Sequence, residues 1–140
     1  MRGIASLGGI GFLRPAPGTW GSLAVLPLAL LPPWALVLAA AIFTAAGYWA
    51  LTRLPEAAED PGWVVVDEAA GQSLALAAAG ASWLGVVLAF LLFRAFDILK
   101  PGPVGWADRQ HGPFGVMADD VVAGALAALA LLGISWLGWL

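Results

Sequence analysis

Three stretches of this chain contain no charged residue: residues 15–52, 69–93 and 121–140. Each stretch is near or above the roughly 20 apolar residues that span a bilayer as a helix. The charged residues lie in four groups, at residues 2–14, 53–68, 94–100 and 108–120. This alternation predicts apolar helical segments whose connections carry the charge and lie on one polar side.

The composition indicates that lipid is the solvent of these segments. Hydrophobic residues make up 61% of the 140 residues and charged residues 11%, whereas soluble domains contain about 25% charged residues. Six basic and nine acidic residues are too few to cover the surface of a small soluble fold. We therefore expect an integral membrane protein, and its length predicts one domain over residues 1–140.

Proline and glycine divide the apolar stretches into predicted helices. Pro32 and Pro33 interrupt the first stretch and Gly80 the second, because both residue types are unfavourable inside a helix. The predicted helices are residues 22–31, 34–51, 67–79, 83–99 and 118–137. The expected fold class is all-α: a membrane bundle of about five to six helices, the short ones being re-entrant or half-depth.

The basic residues predict the orientation in the membrane. If the N-terminus is inside, the turns at Pro32 and Gly80 and the C-terminus lie outside. All six Lys and Arg residues then fall on the inner face, as the positive-inside rule requires, so that face should be cytoplasmic. The net charge of −3 argues against a nucleic-acid partner. The absence of cysteine excludes disulfides, thiolate metal sites and a cysteine nucleophile.

Five carboxylates lie at or beside predicted helix ends: Asp67, Glu68, Asp97, Asp119 and Asp120. Ionisable groups near hydrocarbon are costly, so each is a candidate functional residue. Acidic residues also favour helix N-termini, which would account for one acid at each helix start. Adjacent acids at two helix starts repel each other unless a cation lies between them. We therefore favour a metal site.

A second pattern places Arg94, Asp97 and Lys100 three residues apart, on one side of a helix. A guanidinium, a carboxylate and an ammonium at the membrane edge would suit a phosphate next to a metal-binding carboxylate. The alternative is a self-neutralising helix end whose basic side chains extend toward lipid headgroups. This pattern alone leaves both interpretations open.

Two segments rich in proline and glycine add weaker candidates. Residues 15–22 are predicted to form a loop before a helix, where free amides, Gly18 and Thr19 could meet a phosphate. Such loops are also common as ordinary turns. Residues 101–117 are predicted to form a shaped loop on the polar face. It contains the only histidine, His111, which we interpret as solvated and leave out of the core site.

Together these patterns resemble the phosphatidylglycerophosphatase A family. The matching blocks are Gly9-x-Gly11 with Pro17-Gly18-Thr19-Trp20-Gly21-Ser22, Val66-Asp67-Glu68-x-x-Gly71, Phe93-Arg94-x-x-Asp97-x-x-Lys100-Pro101-x-Pro103, and Asp108 followed by His111-Gly112-x-x-Gly115-x-Met117-x-Asp119-Asp120-x-x-Ala123-Gly124. They follow the family's order. Arg14 and Pro113 depart from its pattern, and the loop before His111 is one residue short. These departures affect loop shape and leave the charged residues in place.

The resemblance implies an enzyme that uses Mg²⁺ to hydrolyse phosphatidylglycerophosphate to phosphatidylglycerol and phosphate, in phospholipid biosynthesis. It also implies a multi-pass protein of the bacterial inner membrane with its active site on the cytoplasmic face. By resemblance, the metal ligands are Asp67, Glu68, Asp97, Asp119 and Asp120. The catalytic residues are Asp67, Glu68, Asp97, Asp120 and Lys100, and the phosphate-binding residues are Gly18, Thr19, Arg94 and Lys100.

Other interpretations stay open at this point. A small transporter or ion-binding membrane protein could use the same carboxylates, although such proteins place charges at mid-membrane on broken helices. A structural protein with capping acids is the third class. The sequence does not give the number of metal ions, the nucleophile (water or a carboxylate) or the selectivity against phosphatidic acid. Trp136 and Trp139 fit anchoring at the membrane interface or contacts in a homo-oligomer.

Overall fold

The computed structural model describes all 140 residues, which form helices joined by turns, without a β-strand. The seven α-helices are α1 (Arg2–Ala5), α2 (Pro17–Ala24), α3 (Pro33–Leu51), α4 (Val66–Leu76), α5 (Trp83–Leu99), α6 (Pro103–Asp108) and α7 (Gly112–Trp136). Three short 3₁₀ helices connect them, at Ile10–Phe12, Leu26–Leu30 and Pro55–Glu59. The predicted all-α class is confirmed, whereas the helices number seven rather than five to six.

The predicted helices agree best where a strong end signal is present. Helix α5 has the predicted bounds, and the Ser82 side chain caps it by accepting a hydrogen bond from the Gly85 amide at 3.0 Å. Helix α3 begins one residue earlier than predicted. Helix α4 ends at Leu76, three residues before the predicted end, because the amides of Ala78 and Ala79 donate to carbonyls three residues back rather than four.

The prediction was wrong where proline was taken as the mark of a loop. Residues 15–22 are helical from Pro17 onward, and residues 101–117 contain all of α6 and the start of α7. Pro17, Pro103 and Pro113 each lie in the first turn of a helix, where the missing amide has no helical partner to lose. The helix predicted at residues 22–31 is instead the end of α2 and a 3₁₀ helix.

Helix α4 lies at the centre of the bundle, packed mainly against α7 and α3. Two glycines allow its close crossing with α7. A side chain on Gly124 would collide with the Gly71 carbonyl oxygen, and one on Gly71 would collide with the Asp120 carbonyl oxygen and the Phe93 ring. Small residues at such crossings let helix backbones approach closely. The crossing therefore brings the acidic part of α7 against the acidic start of α4.

The bundle has two chemically different ends. At one end, residues 29–33, 36, 76, 77, 80 and 81 line one cavity, and residues 78–82 line another with Ser135 and Leu140. None of these residues is charged, and we call this the apolar end. The start of α4, the last two turns of α5, the first three turns of α7 and all of α6 lie at the opposite, polar end, which carries the charged residues of these helices.

Helices α3 and α7 are long and apolar enough to cross a membrane. Large aromatic side chains project from the apolar end without packing against the protein: Trp34, Trp83 and Trp136 are 71%, 78% and 87% exposed. Tryptophan is enriched where membrane proteins meet the interface between lipid and water. The two apolar helices and these side chains indicate association with a membrane.

Candidate active site

The five predicted carboxylates converge at the polar end, between α4, α5 and α7. Carboxylate oxygens of Asp67, Glu68 and Asp120 lie within 4.8 Å of one another, and so do those of Asp97, Asp119 and Asp120. Asp120 belongs to both groups. The five side chains therefore form one continuous group, which we call the carboxylate cluster.

Helix capping accounts for only part of this cluster. Asp67 and Glu68 lie in the first turn of α4, where the positive end of the helix dipole favours acids. Asp119 and Asp120 were expected at a helix start, but α7 begins at Gly112 and places them two turns inside the helix. The dipole effect is confined to the first turn. A buried acidic pair within an apolar helix needs another compensating partner.

Several carboxylate oxygens in the cluster have no partner within the protein. Asp67, Asp119 and Asp120 are only 5%, 4% and 3% exposed. One oxygen each of Asp67, Glu68 and Asp120 is buried without a hydrogen bond. Five carboxylates share only two basic side chains, and buried unpaired charge is strongly unfavourable. The all-oxygen donor set suits a hard divalent cation. The cluster can therefore hold a metal ion.

The predicted basic residues flank the cluster. The Arg94 guanidinium donates a hydrogen bond to Asp97. The Lys100 ammonium lies 2.7 Å from Asp119 Oδ2, 3.3 Å from Asp108 Oδ1 and 3.7 Å from Asp97 Oδ1. Burial alone would lower the pKa of Lys100, but the hydrogen bond and the charge of Asp119 outweigh it and raise that pKa above its usual range. Lys100 therefore stays charged at neutral pH.

The start of α2 covers another side of the cluster. A side chain on Gly18 would collide with the Glu68 carboxylate and lie 3.3 Å from an Arg94 guanidinium nitrogen. The amides of Thr19 and Trp20 both donate to the Ala16 carbonyl, while the Gly18 amide makes no backbone hydrogen bond. The structure thus brings Gly18 to the cluster with a free donor. The Thr19 side chain makes no hydrogen bond there.

The structure adds polar residues that the sequence prediction left unassigned. Gln72 lies one turn after Glu68 on α4 and is fully buried, with neither amide atom hydrogen-bonded. Asp108 pairs with Lys100 from the end of α6. A glutamine inside an otherwise apolar helix was a readable signal. The role of Asp108 depends on the path of the chain after Lys100, which the sequence pattern did not reveal.

A cavity of about 210 Å³ opens beside the cluster, and we call it the side cavity. Its polar lining includes Glu59, Asp60, Asp108, Gln110, His111 and Asp119. Asp119 therefore belongs to both the cavity and the carboxylate cluster. His111, predicted to be simply solvated, lines the cavity, and no side-chain hydrogen bond holds it to the cluster.

Comparison with known proteins places the whole arrangement in a family. The phosphatidylglycerophosphatase A family model matches residues 3–135. The chain is 38% identical over 137 residues to the phosphatidylglycerophosphatase A of Haemophilus influenzae, covering 91% of this chain and 84% of the relative. It is 36% identical over 138 residues to the protein of that name from Escherichia coli, covering 91% of this chain and 80% of the relative.

A relative named for a different activity is similarly close. The chain is 38% identical over 142 residues to a putative phosphatidylinositol-3-phosphatase of Bacteroides thetaiotaomicron, covering 91% of this chain and 89% of the relative. No solved structure matches the chain. The family model spans the helices that carry the cluster and both basic residues. The chain belongs to the phosphatidylglycerophosphatase A family.

Proposed function

We propose that this protein hydrolyses the terminal phosphate monoester of phosphatidylglycerophosphate, yielding phosphatidylglycerol and inorganic phosphate. The observation that carries the proposal is the convergence of five carboxylates beside Lys100 and Arg94. Phosphate transfer needs charge neutralisation at such a site. Two relatives named phosphatidylglycerophosphatase A, matched along most of their length, support this substrate.

We assign Mg²⁺ as the cofactor, held by Asp67, Glu68, Asp97, Asp119 and Asp120. Magnesium prefers carboxylate oxygen ligands and commonly completes its coordination with water and substrate phosphate. The unpartnered oxygens of Asp67, Glu68 and Asp120 provide ligand positions that the protein itself leaves unused. When bound, the ion supplies charge neutralisation and activates water.

The basic residues and the start of α2 orient the phosphate. Lys100 and Arg94 neutralise the negative charge that spreads over the phosphoryl oxygens during transfer, and the free Gly18 amide donates a hydrogen bond to one of them. Thr19, in the same turn of α2, contributes its hydroxyl when the phosphate is bound. The two basic side chains are held in place before substrate arrives, because Arg94 donates to Asp97 and Lys100 donates to Asp119.

The proposed reaction is a direct attack by water. The water oxygen forms a bond to phosphorus while the bond between phosphorus and the glycerol oxygen breaks. A cluster carboxylate accepts a proton from the attacking water, and the glycerol oxygen leaves as an alcohol after taking up a proton from solvent. The carboxylate then returns its proton to solvent, and the products are the alcohol of phosphatidylglycerol and inorganic phosphate.

We place the protein in the bacterial inner membrane as one multi-pass domain over residues 1–140, with the polar end facing the cytoplasm. Helices α3 and α7 have the required length and hydropathy. The acyl chains of the substrate then stay in lipid while the headgroup reaches the cluster. A transporter is not favoured, because the carboxylates gather at one end of the bundle rather than along a path through it.

The test is phosphate release by the purified full-length protein in detergent micelles that contain phosphatidylglycerophosphate. We expect release with added Mg²⁺, loss on chelation and recovery when Mg²⁺ is restored. Phosphatidylinositol 3-phosphate and phosphatidic acid, presented with the same acyl chains, measure the headgroup preference. A folded protein that releases no phosphate from phosphatidylglycerophosphate in Mg²⁺ would contradict the proposal, and metal-dependent ion flux in vesicles would support the transporter instead.

A further inference from the structure

We propose that the side cavity binds the hydroxyl-bearing part of the lipid headgroup, with Asp60 and Gln110 as residues that select a phosphomonoester carried on a polyol. This inference rests on the proposed function. It concerns which headgroup is accepted rather than how the phosphate ester is cleaved.

Only the Asp119 side chain separates the cavity from the proposed position of the reacting phosphate. Asp119 lines the cavity and belongs to the carboxylate cluster. Lys100 spans the boundary, because its ammonium contacts Asp119 at 2.7 Å and the cavity residue Asp108 at 3.3 Å. A phosphate held at Lys100 therefore places the neighbouring carbons of its headgroup at the mouth of the cavity.

The lining favours hydroxyl groups over anionic or apolar ones. Only Ala58 and Val116 among the lining residues are hydrophobic, so an acyl chain has little to contact. The cavity includes carboxylates from Glu59, Asp60 and Asp108 but no Lys or Arg, so a second phosphate would be repelled. Carboxylate oxygens accept hydrogen bonds, and the hydroxyls of a polyol donate them.

Gln110 is held ready to accept such a bond. Its side-chain nitrogen donates to the Trp106 carbonyl oxygen at 3.0 Å, which fixes the amide and leaves the side-chain oxygen free. Asp60 approaches from the connection between α3 and α4, at the end of the 3₁₀ helix Pro55–Glu59. The Asp60 side chain is exposed, although the surrounding protein removes enough solvent to raise its pKa against the opposing charge of Lys100. The connection between α3 and α4 and the segment from the end of α6 into α7 thus line the cavity together.

This arrangement distinguishes two lipids that carry the same reacting group. In phosphatidylglycerophosphate, the carbon next to the phosphate-bearing carbon carries a free hydroxyl. In phosphatidic acid, the corresponding oxygen is esterified to an acyl chain and cannot donate. A hydroxyl that reaches Asp60 or Gln110 gains a hydrogen bond that phosphatidic acid lacks, and a bond to a charged partner is the stronger kind.

Substitutions at Asp60 test this assignment through the ratio of kcat/KM for the two lipids. Asp60 has a φ of 52°, a left-handed conformation that glycine and asparagine adopt more readily than most residues. We expect Asp60→Gly to lower the ratio of phosphatidylglycerophosphate to phosphatidic acid by about 10- to 100-fold. Asp60→Asn keeps one acceptor and should lie between that variant and the wild type. Gln110→Ala should lower the ratio less, since it removes a neutral acceptor.

The matched control is Glu56→Gln. Glu56 lies on the 3₁₀ helix that directly precedes Asp60. Its side chain is outside the cavity and pairs with Arg2 at 3.0 Å. Its substitution should leave the ratio unchanged. An Asp60→Gly variant that loses activity equally on both lipids, or keeps the wild-type ratio, would overturn the cavity assignment. If the wild type hydrolyses neither lipid in Mg²⁺, the proposed function fails instead.

A measurement on the wild type covers the case in which Asp60→Gly does not fold. Glycerol 3-phosphate and propyl phosphate share the phosphate monoester and the three-carbon chain, and only the first carries hydroxyls. We expect glycerol 3-phosphate to inhibit lipid hydrolysis at a concentration about 10-fold lower. Equal inhibition by the two compounds would show that the cavity does not recognise hydroxyls.

Discussion

The polar and apolar ends of the bundle are built from the same helices, α4, α5 and α7, yet they differ in how their polar groups are satisfied. At the apolar end, the chain's own residues satisfy the helix end and form the turn: Ser82 caps α5, and Gly80 provides the turn after α4. At the polar end, buried oxygens of Asp67, Glu68 and Asp120 have no partner within the protein. The apolar end carries no charged group, whereas the polar end leaves carboxylate oxygens available to a ligand.

The difference shows that the interactions unfavourable to folding are concentrated at the polar end. A buried, unpaired carboxylate is among the most unfavourable groups that a fold can contain. The same helices therefore tolerate the cluster only because other interactions hold the bundle together. Close helix crossings and apolar packing provide these, including the contact between Gly71 and Gly124 directly beside Asp120. Substitutions at the two ends should consequently separate activity from stability.

The largest expected effect is at Asp120, the residue that joins both groups of ligand oxygens. Asp120→Asn keeps the shape but removes the charge, so we expect metal-dependent phosphate release to fall by about 1,000-fold or more. Thermal unfolding in detergent should lose its dependence on Mg²⁺, since binding to the folded state is what produces that dependence. Wild-type activity in this variant would remove Asp120 from the site.

A smaller loss is expected at Lys100, which neutralises charge without binding the metal. Lys100→Met retains much of the side-chain volume and should lower kcat by about 100-fold, as for the loss of one group that stabilises the transition state. Mg²⁺ should still bind, which calorimetry would measure. Arg53→Met is the matched control, because Arg53 is an exposed basic residue stacked on Trp49 at 4.5 Å. A loss of similar size at Arg53 would indicate a general effect of surface charge.

Two glycines of α7, one on the side of the polar end and one toward the apolar end, allow the two ends of the bundle to be compared within one helix. A side chain on Gly124 meets the Gly71 backbone beside the cluster, whereas one on Gly133 meets no atom within 4 Å. Gly124→Ala should cost about 1–3 kcal/mol of unfolding free energy from overpacking. It should also lower activity by about 10-fold, since misplaced catalytic groups lose rate steeply. Gly133→Ala should be neutral or stabilising by up to about 1 kcal/mol.

Activity assays and denaturation of both variants in the same detergent measure this comparison. Equal effects at Gly124 and Gly133 would mean that the close crossing does not position the cluster.

The sequence predicted α5 and the start of α3 well, because their signals are local, whereas the helix predicted at residues 22–31 and the predicted end of α4 were wrong. The bounds of α5 follow from the serine cap and a long apolar run. Helix α3 starts at the second proline of the Pro32-Pro33 pair, one residue before its predicted start. At the polar end, the same residue type was misleading. Proline at residues 17, 103 and 113 opens helices there, since a proline in the first turn sacrifices no helical hydrogen bond.

The carboxylates of the candidate site were predictable, but its geometry and the neighbouring residues Gln72 and Asp108 were not. Ionisable residues at the edges of apolar helices are costly in free energy, so the sequence marks them as candidates. The structure brings these five carboxylates together. The sharing of Asp120 between two ligand groups depends on the crossing of α4 and α7, a tertiary contact. The same holds for the side cavity, which joins segments about fifty residues apart, near Asp60 and Asp108.

The smallest effect on activity is expected at the apolar end, at the cap of α5. Ser82→Ala removes the acceptor of the Gly85 amide and should cost about 1 kcal/mol of unfolding free energy. Activity per folded molecule should be unchanged, because α5 contributes to the site only near its opposite end, at Arg94 and Asp97. Denaturation and phosphate release measured on one preparation test both expectations. If Ser82→Ala lowered activity as much as Gly124→Ala at equal folded fraction, strain would pass along α5 from one end to the other. The polar end would then depend on the register of the whole helix rather than on the crossing of α4 and α7.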